Sequence, residues 1–321
     1  MGDRLSTVPA PGDELVTLAT CDLAGIVRGR AVPVAELERR LEIGVGWVPA
    51  NQSITAFGAM AEPNPWGSAG DLRLLPDAAT RVRVDRFPGV PALHLVLCDI
   101  TEVDGGEWDA CGRTFLRRAL ARLEAQAGLR LRASFEHEFV LEDDRAAAPA
   151  FSLEAQRLAE PFASLAMAAL REAGAEPELF LPEYGEHQFE LPVAAAEGVA
   201  AADRSVIVKE VVREVARRLG TRTSFAPLHG AASVGSGAHI HLGLLDAAGQ
   251  PVSYDPARPG RLSLVAGRFA AGILRHLPAV LALTASSPHS YARLVPHRWS
   301  AAAAVLGEQN REAALRICPV V

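Results

Sequence analysis

Lysine is almost missing from this chain. Of its 32 basic residues only Lys209 is a lysine, so no Gly-x-x-x-x-Gly-Lys-Ser/Thr loop exists and any nucleotide has to be bound without a P-loop. Recognition of phosphate or carboxylate falls to arginine, whose planar guanidinium suits both groups. Cysteine is sparse too. Cys21, Cys98, Cys111 and Cys318 are far apart and never form Cys-x-x-Cys, which argues against a zinc knuckle or disulfide framework and for small buried residues. A basic surplus is absent: the net charge is −6, which speaks against a nucleic-acid partner. No unbroken apolar run reaches the ~18 residues of a membrane span, so no membrane partner is expected. The N-terminus, with Pro9, Pro11 and three acids before residue 15, lacks the basic-then-apolar order of a signal peptide. A cytoplasmic address is the default expectation.

What is present is ordinary globular material, 321 residues of which 49% are hydrophobic and 22% charged, enough for two domains or one large one. Residues 14–104 read as β-rich, with strands expected at 15–20, 26–32, 81–84 and 93–99, one helix at 34–43 and a Pro/Gly loop at 58–80. The run Asp104-Gly105-Gly106 marks a boundary, giving domains 1–106 and 107–321. Beyond it helical stripes at 112–127, 152–173, 199–219 and 262–284 alternate with strands at 132–141, 186–192 and 238–245, followed by a loop at 285–300. The fold class is α+β.

Three of those strands carry polar rows of acids, histidines or an amide two residues apart: Glu136 with Glu138, Gln188 with Glu190, and His239 with His241. Residues i and i+2 of a strand share a face, so neighbouring strands of this kind line one pocket with carboxylates and imidazoles. Taken singly, each row also fits a solvated sheet face. The context favours a site: Phe135, Phe139, Val140 and Leu141 around the first pair speak for an inner strand, and Gly235-Ser236-Gly237 before the histidines permits close backbone approach. Gly185, between Glu183 and Glu186, permits a bulge that re-aims Glu183. Carboxylates with one imidazole suit Mg²⁺ or Mn²⁺ better than zinc, and two such ions clamp a transferring phosphoryl group. Arg293, Arg298, Arg311 and Arg316 supply the positive charge that such chemistry needs. His137 and His187 are expected to face away from the acids.

Read in order, Ser134-Phe135-Glu136-His137-Glu138-Phe139, Glu183-Tyr184-Gly185-Glu186-His187-Gln188-Phe189-Glu190, Gly235-Ser236-Gly237-Ala238-His239-Ile240-His241, Ser290-Tyr291-Ala292-Arg293-Leu294-Val295-Pro296 and Asn310-Arg311-Glu312-Ala313-Ala314-Leu315-Arg316 resemble the catalytic motifs of the glutamine synthetase family. Softer matches, Asp71–Asp77 and Cys98-Asp99-Ile100, resemble parts of its N-terminal domain. The resemblance implies a small β-grasp-like N-terminal domain and a catalytic domain with an antiparallel sheet flanked by helices. It also implies active sites between subunits of a homo-oligomeric ring. Glu138, Glu183 and Glu190 are then expected to hold one metal ion, and Glu136 with His239 another. His241, Arg311 and Arg316 fall to the ATP phosphates, and Gly235, His239 and Arg293 to glutamate. The implied reaction is phosphorylation of glutamate's side-chain carboxylate by ATP, with Mg²⁺ or Mn²⁺, and displacement of phosphate by a nitrogen nucleophile.

Departures from the motifs refine this reading. Glutamine synthetases proper carry a glutamate shortly after Arg-Leu-x-Pro that closes the site and accepts a proton from ammonium; here Trp299 stands there. The aspartate that helps bind ammonium has no counterpart near Ala50-Asn51-Gln52-Ser53, and Val234 replaces an asparagine. A tryptophan favours an apolar or extended amine, so the chain resembles the γ-glutamyl-amine ligase branch, with Trp299, Arg293 and Arg311 as catalytic candidates. The family's further Arg-x-Glu-x-Arg segment is not found before Val321, which implies a catalytic domain lacking its C-terminal part. Glutamine synthetase proper, using ammonia, and a non-catalytic or truncated subunit are the alternatives.

Overall fold

The computed structural model describes residues 13–230 and 233–319. Pro9, Pro11 and the start of the chain, with Val320 and Val321 at its end, lie outside the described residues. The helices are α1 (Leu37–Ile43), α2 (Gly112–Ala127), α3 (Leu153–Leu158), α4 (Phe162–Glu172), α5 (Val199–Arg218), α6 (Leu264–Thr284) and α7 (Pro288–Arg293). Two compact units result, neither contiguous in sequence. One comprises Met1–Ala121, Ser164–Glu176 and Val199–Gly220; the other Arg122–Ala163, Pro177–Gly198 and Thr221–Val321.

The first unit is built on a mixed sheet of β1 (Leu15–Cys21), β2 (Val27–Pro33), β3 (Val45–Trp47), β4 (Leu72–Pro76), β5 (Val82–Val84) and β6 (Leu93–Glu102). The order is β2-β1-β6-β4-β3, with β5 also beside β6. β1 runs parallel to β6, and the remaining pairs are antiparallel. Val16, Leu18, Leu74, Val96 and Ile100 fill its core. The expected loop at 58–80 holds β4 instead. Its Leu72, Leu74 and Pro76 are buried alternately, a period of two that the surrounding prolines and glycines mask in the sequence. Half-buried Arg113 donates to Asp77, Asp99 and, through two nitrogens, Asp203 of α5 at 2.7–2.8 Å. Cys98 and Cys111 are buried, as expected of inert thiols, and burial pushes the Cys98 thiol up to about 12. Cys318 is exposed.

The second unit centres on one long strand, β7 (Arg130–Leu141). Around it lie β8 (Leu181–Pro182), β9 (Gln188–Pro192), β10 (Ala196–Glu197), β11 (Thr223–Ser224) and β12 (Ala238–Leu245), all paired antiparallel. β7 therefore has neighbours on both edges. Its Ala133, His137, Phe139 and Leu141 are buried while Ser134, Glu136, Glu138 and Val140 are half-buried, the alternation that a pleated strand imposes. Phe139, fully buried, packs its ring against Phe162, Phe180, Phe189 and Phe225. This aromatic layer lies under the strand face opposite the acids.

Two readings of the sequence are corrected here, and two features go beyond it. The helix expected at 152–173 is two, α3 and α4, because Pro161 has no amide hydrogen to continue the first. The expected loop at 285–300 contains α7, capped by Ser287 accepting from the Ser290 amide. A parallel pair, β13 (Ala303–Glu308) and β14 (Ala313–Ile317), forms a separate two-stranded sheet with no antecedent in the sequence reading, beside a main sheet that is antiparallel as expected. Finally, α6 is long and apolar enough, by length and composition, to cross a membrane, with a mean hydropathy of 1.3 and almost none of it buried. Arg268, Arg275 and His276 interrupt it, so a search for unbroken apolar runs passes over it.

The aromatic layer sets an expectation for stability. Phe139→Ala removes a fully buried ring that four others touch and should destabilise the chain by about 3–5 kcal/mol. Urea denaturation of the variant checks this; a loss below about 1 kcal/mol would mean that the layer is not the core of the unit.

Candidate active site

Cross-strand register decides which side chains meet. Residues directly opposite one another on paired strands share a face. On β7, Glu136 lies opposite His239 of β12, and Glu138 opposite Glu190 of β9. The three polar rows thus form one surface. Glu183 joins it from the other end of a hairpin: β8 pairs with β9, the Glu183 amide donates to the Gln188 carbonyl at 2.7 Å, and residues 184–187 form the turn. The bulge expected at Gly185 is a hairpin turn instead. A Cβ on Gly185 would lie 2.6 Å from Gln188 Oε1, so a larger residue there would displace that side chain from its present position.

Charge is crowded in this space. His239 Nδ1 is 3.3 Å from Glu136 Oε2 and 3.7 Å from Glu190 Oε2, and His241 Nε2 is 3.0 Å from Glu136 Oε1. Both nitrogens are buried, and neither approach has hydrogen-bond geometry. Contact with the two imidazoles, His239 first, holds the Glu136 carboxyl far below the usual carboxylate range. Glu136, then Glu190, raises His239 to about 9. Burial, then the negative charges of Glu138 and Glu190, raises Glu183 to about 7.

Glu138 is held differently. Its Oε2 accepts from the Gly237 amide at 2.8 Å and from Gln188 Nε2 at 3.2 Å. Gln188, buried at 4% exposure, also donates to the Gly235 carbonyl at 2.8 Å. Gln188 stands in the polar row with Glu190 that the sequence shows, but the sequence reading gives it no role of its own; its hydrogen bonds supply one. The glycine turn leaves room for Arg293. At Gly235, with φ +89°, a Cβ would sit 2.5 Å from the Pro227 carbonyl and 2.8 Å from Arg293 Cδ. A Cβ at Gly237 would lie 3.2 Å from Glu138 Oε1 and 3.4 Å from Arg293 Nη2. Arg293 is buried at the end of α7 with its Nε unpartnered, and burial lowers its pKa.

The remaining candidates gather less tightly. Arg316, on β14, acts electrostatically on His241. Arg311 lies against the Trp299 ring, its Cζ 5.8 Å from the ring centroid, and Trp299 is 69% exposed. Arg298 donates to the Ser233 carbonyl at 3.3 Å. His137 is buried, its ring stacked on Phe135, facing away from the acids as expected. His187 sits in the turn with φ 51° and meets the Arg145 carbonyl at 3.0 Å.

Glu136, Glu190 and His239 each offer a ligand atom, and these atoms lie within 4.8 Å of one another. Two carboxylates with an imidazole whose buried nitrogen has no hydrogen bond form a donor set that fits a hard divalent cation such as Mg²⁺ or Mn²⁺. The proton affinities of His239 and Glu183 point the same way: both sites gather positive charge. An unpartnered buried arginine nitrogen beside them suits an anionic substrate group.

Comparison with known proteins follows the same residues. The glutamine synthetase catalytic-domain profile matches residues 109–320, and the glutamine synthetase N-terminal-domain profile matches 8–108. Gamma-glutamylpolyamine synthetase GlnA3 of Streptomyces coelicolor is 38% identical over 94% of this chain and 66% of its own length. Glutamate–isopropylamine ligase of Pseudomonas sp is 27% identical over 93% of this chain and 69% of its own. The crystal structure of a novel glutamine synthase homolog is 52% identical, with a TM-score of 0.92 over 98% of this chain and 75% of that one. The chain spans about two thirds of the length of the curated relatives it matches.

The two raised proton affinities make metal-free stability depend on pH. A group whose folded pKa is raised stabilises fully below its unfolded value and loses that contribution as pH rises through the folded one. For Glu183 the loss runs from 4.5 to about 7, and for His239 from 6.5 to about 9. Glu136, shifted the other way, stabilises above its ordinary 4.5 and loses that contribution only in acid. Metal-free protein should therefore melt lower near pH 9 than near about pH 6, and Mn²⁺ should restore most at the alkaline end. Thermal melts with and without Mn²⁺ check this; metal-free melting that rises with pH contradicts it.

Proposed function

The chain belongs to the glutamine synthetase family, and from that premise we propose that it acts as an ATP-dependent ligase forming a γ-glutamyl amide from glutamate and an organic amine. The observation that carries the proposal is the convergence of Glu136, Glu190 and His239 beside Glu138 and buried Arg293. The similarity to a polyamine synthetase and an isopropylamine ligase supports the choice of amine. So does Trp299, because an indole cannot accept a proton from ammonium but offers an apolar face.

The proposed roles keep to these contacts. Glu138, Glu183 and Glu190 serve one ion, and Glu136 with His239 the other, with Glu190 close enough to His239 to reach both. Bound there, divalent ions supply charge stabilisation for phosphoryl oxygens. Arg293 orients the glutamate carboxylate, and Gly235 keeps the space that its side chain needs. His241, Arg311 and Arg316 face the ATP phosphates. A side-chain carboxylate oxygen of glutamate attacks the γ-phosphorus and ADP leaves. The amine nitrogen then attacks the acyl carbon, phosphate departs and the nitrogen gives up a proton. We further propose that residues 1–106 form a β-grasp-like domain, that 107–321 belong to the catalytic domain, and that the protein works in the cytoplasm as a homo-oligomeric ring.

The test is phosphate release with ATP, glutamate, Mg²⁺ and a panel of amines, with products weighed by mass spectrometry. Amine-dependent release and a product equal to glutamate plus amine less water are expected, with ammonium a poor substrate. Arg293→Ala should raise the KM for glutamate at least about ten-fold, the equivalent of one charge-assisted contact. Ammonium used as well as any amine refutes the amine assignment. Nucleotide binding without phosphate release points to a binding subunit.

A further inference from the structure

Arg311 and Trp299 form a contact that the ligase reading does not use. The guanidinium carbon is 5.8 Å from the indole centroid, inside the ~6 Å range over which a ring quadrupole attracts a cation. No carboxylate pairs with Arg311 among the described residues, so the ring is the neighbour placed to hold it. The loop presents the indole through backbone that bulky residues seldom adopt: Trp299 has φ 51° and His297 has φ 63°, both in the left-handed region. Trp299 is still 69% exposed.

We propose that Trp299 is a positioning residue for Arg311, holding its guanidinium for an anionic phosphoryl group without cancelling its charge. This rests on the reading of Arg311 as an ATP-phosphate residue. A carboxylate at position 299 would hold an arginine by ion pairing and neutralise much of its field. A ring face carries no net charge, so the arginine is oriented and its field survives. Residue 299 then governs nucleotide use as well as the amine, and the two are coupled through one side chain. A cation already occupies part of the ring's neighbourhood, so an incoming amine meets the remaining surface best with its apolar portion.

Two measurements on the full chain test this. In nucleotide-free protein, the emission component lost in Trp299→Phe isolates Trp299 from Trp47, Trp66 and Trp108. Arg311→Ala should shift that component and make it easier to quench; an unchanged component overturns the contact. In equilibrium ATP binding with Mg²⁺, Trp299→Ala should weaken affinity about two- to five-fold, the range of an exposed cation–π contact, and Trp299→Phe should recover most of it. Trp299→Ala in an Arg311→Ala background should cost nothing further, the non-additivity of a shared interaction. Additive losses, or wild-type affinity in Trp299→Ala, overturn the proposal. A wild-type chain that binds no ATP sinks the ligase reading and the positioning role with it, whereas an additive cycle in a chain that binds ATP sinks only the latter.

Discussion

The second unit is organised around a concentration of negative charge that a single strand face cannot hold alone. Glu136 and Glu138 project from β7, Glu190 from its neighbour, and Glu183 from the adjoining hairpin. Two unit charges ~4 Å apart repel by about 4 kcal/mol at an effective dielectric near 20, so four acids in one cleft need cations nearby. His239, His241 and Arg293 provide part of the compensation, while burial and then the negative charges of Glu138 and Glu190 raise the proton affinity of Glu183. A divalent cation is the natural complement.

What keeps this cluster from splaying apart is its backing. Phe139 and its aromatic neighbours fix β7 from beneath, while Gln188 ties Glu138 to the Gly235 carbonyl. The glycine turn has a second use, since both Gly235 and Gly237 stand where a Cβ would press on Arg293 or Glu138. Acid, amide and guanidinium are packed at distances that only hydrogen atoms on the turn allow. The residues proposed to recognise the substrate carboxylate and to retain the cation therefore pack against one another in one small region.

The strands carrying the acids were legible because their polar rows obey a period of two and their flanks are apolar. β4 and α7 were not, since proline and glycine around β4, and proline and serine around α7, mimic loop composition. The β13–β14 pair escaped because a parallel pairing depends on partners that no local pattern announces. α6 was recognisable as a helix, yet its exposure is a matter of tertiary packing: Leu264, Val265, Val280 and Leu283 remain open on it, and composition cannot tell such a face from a buried one. Gln188 sat in plain view beside Glu190, but an amide looks inert until its hydrogen bonds are known.

By itself the order of residues determined the α+β class, the candidate site residues and the family to which the chain belongs, because these depend on residue type and on spacing along one strand or helix. Tertiary structure alone decided which acid faces which histidine, that Arg293 is buried with a free nitrogen, and that Trp299 rests against Arg311. Those outcomes turn on register between strands and on the approach of segments far apart in the chain, where a shift of one residue would carry each side chain to the opposite face.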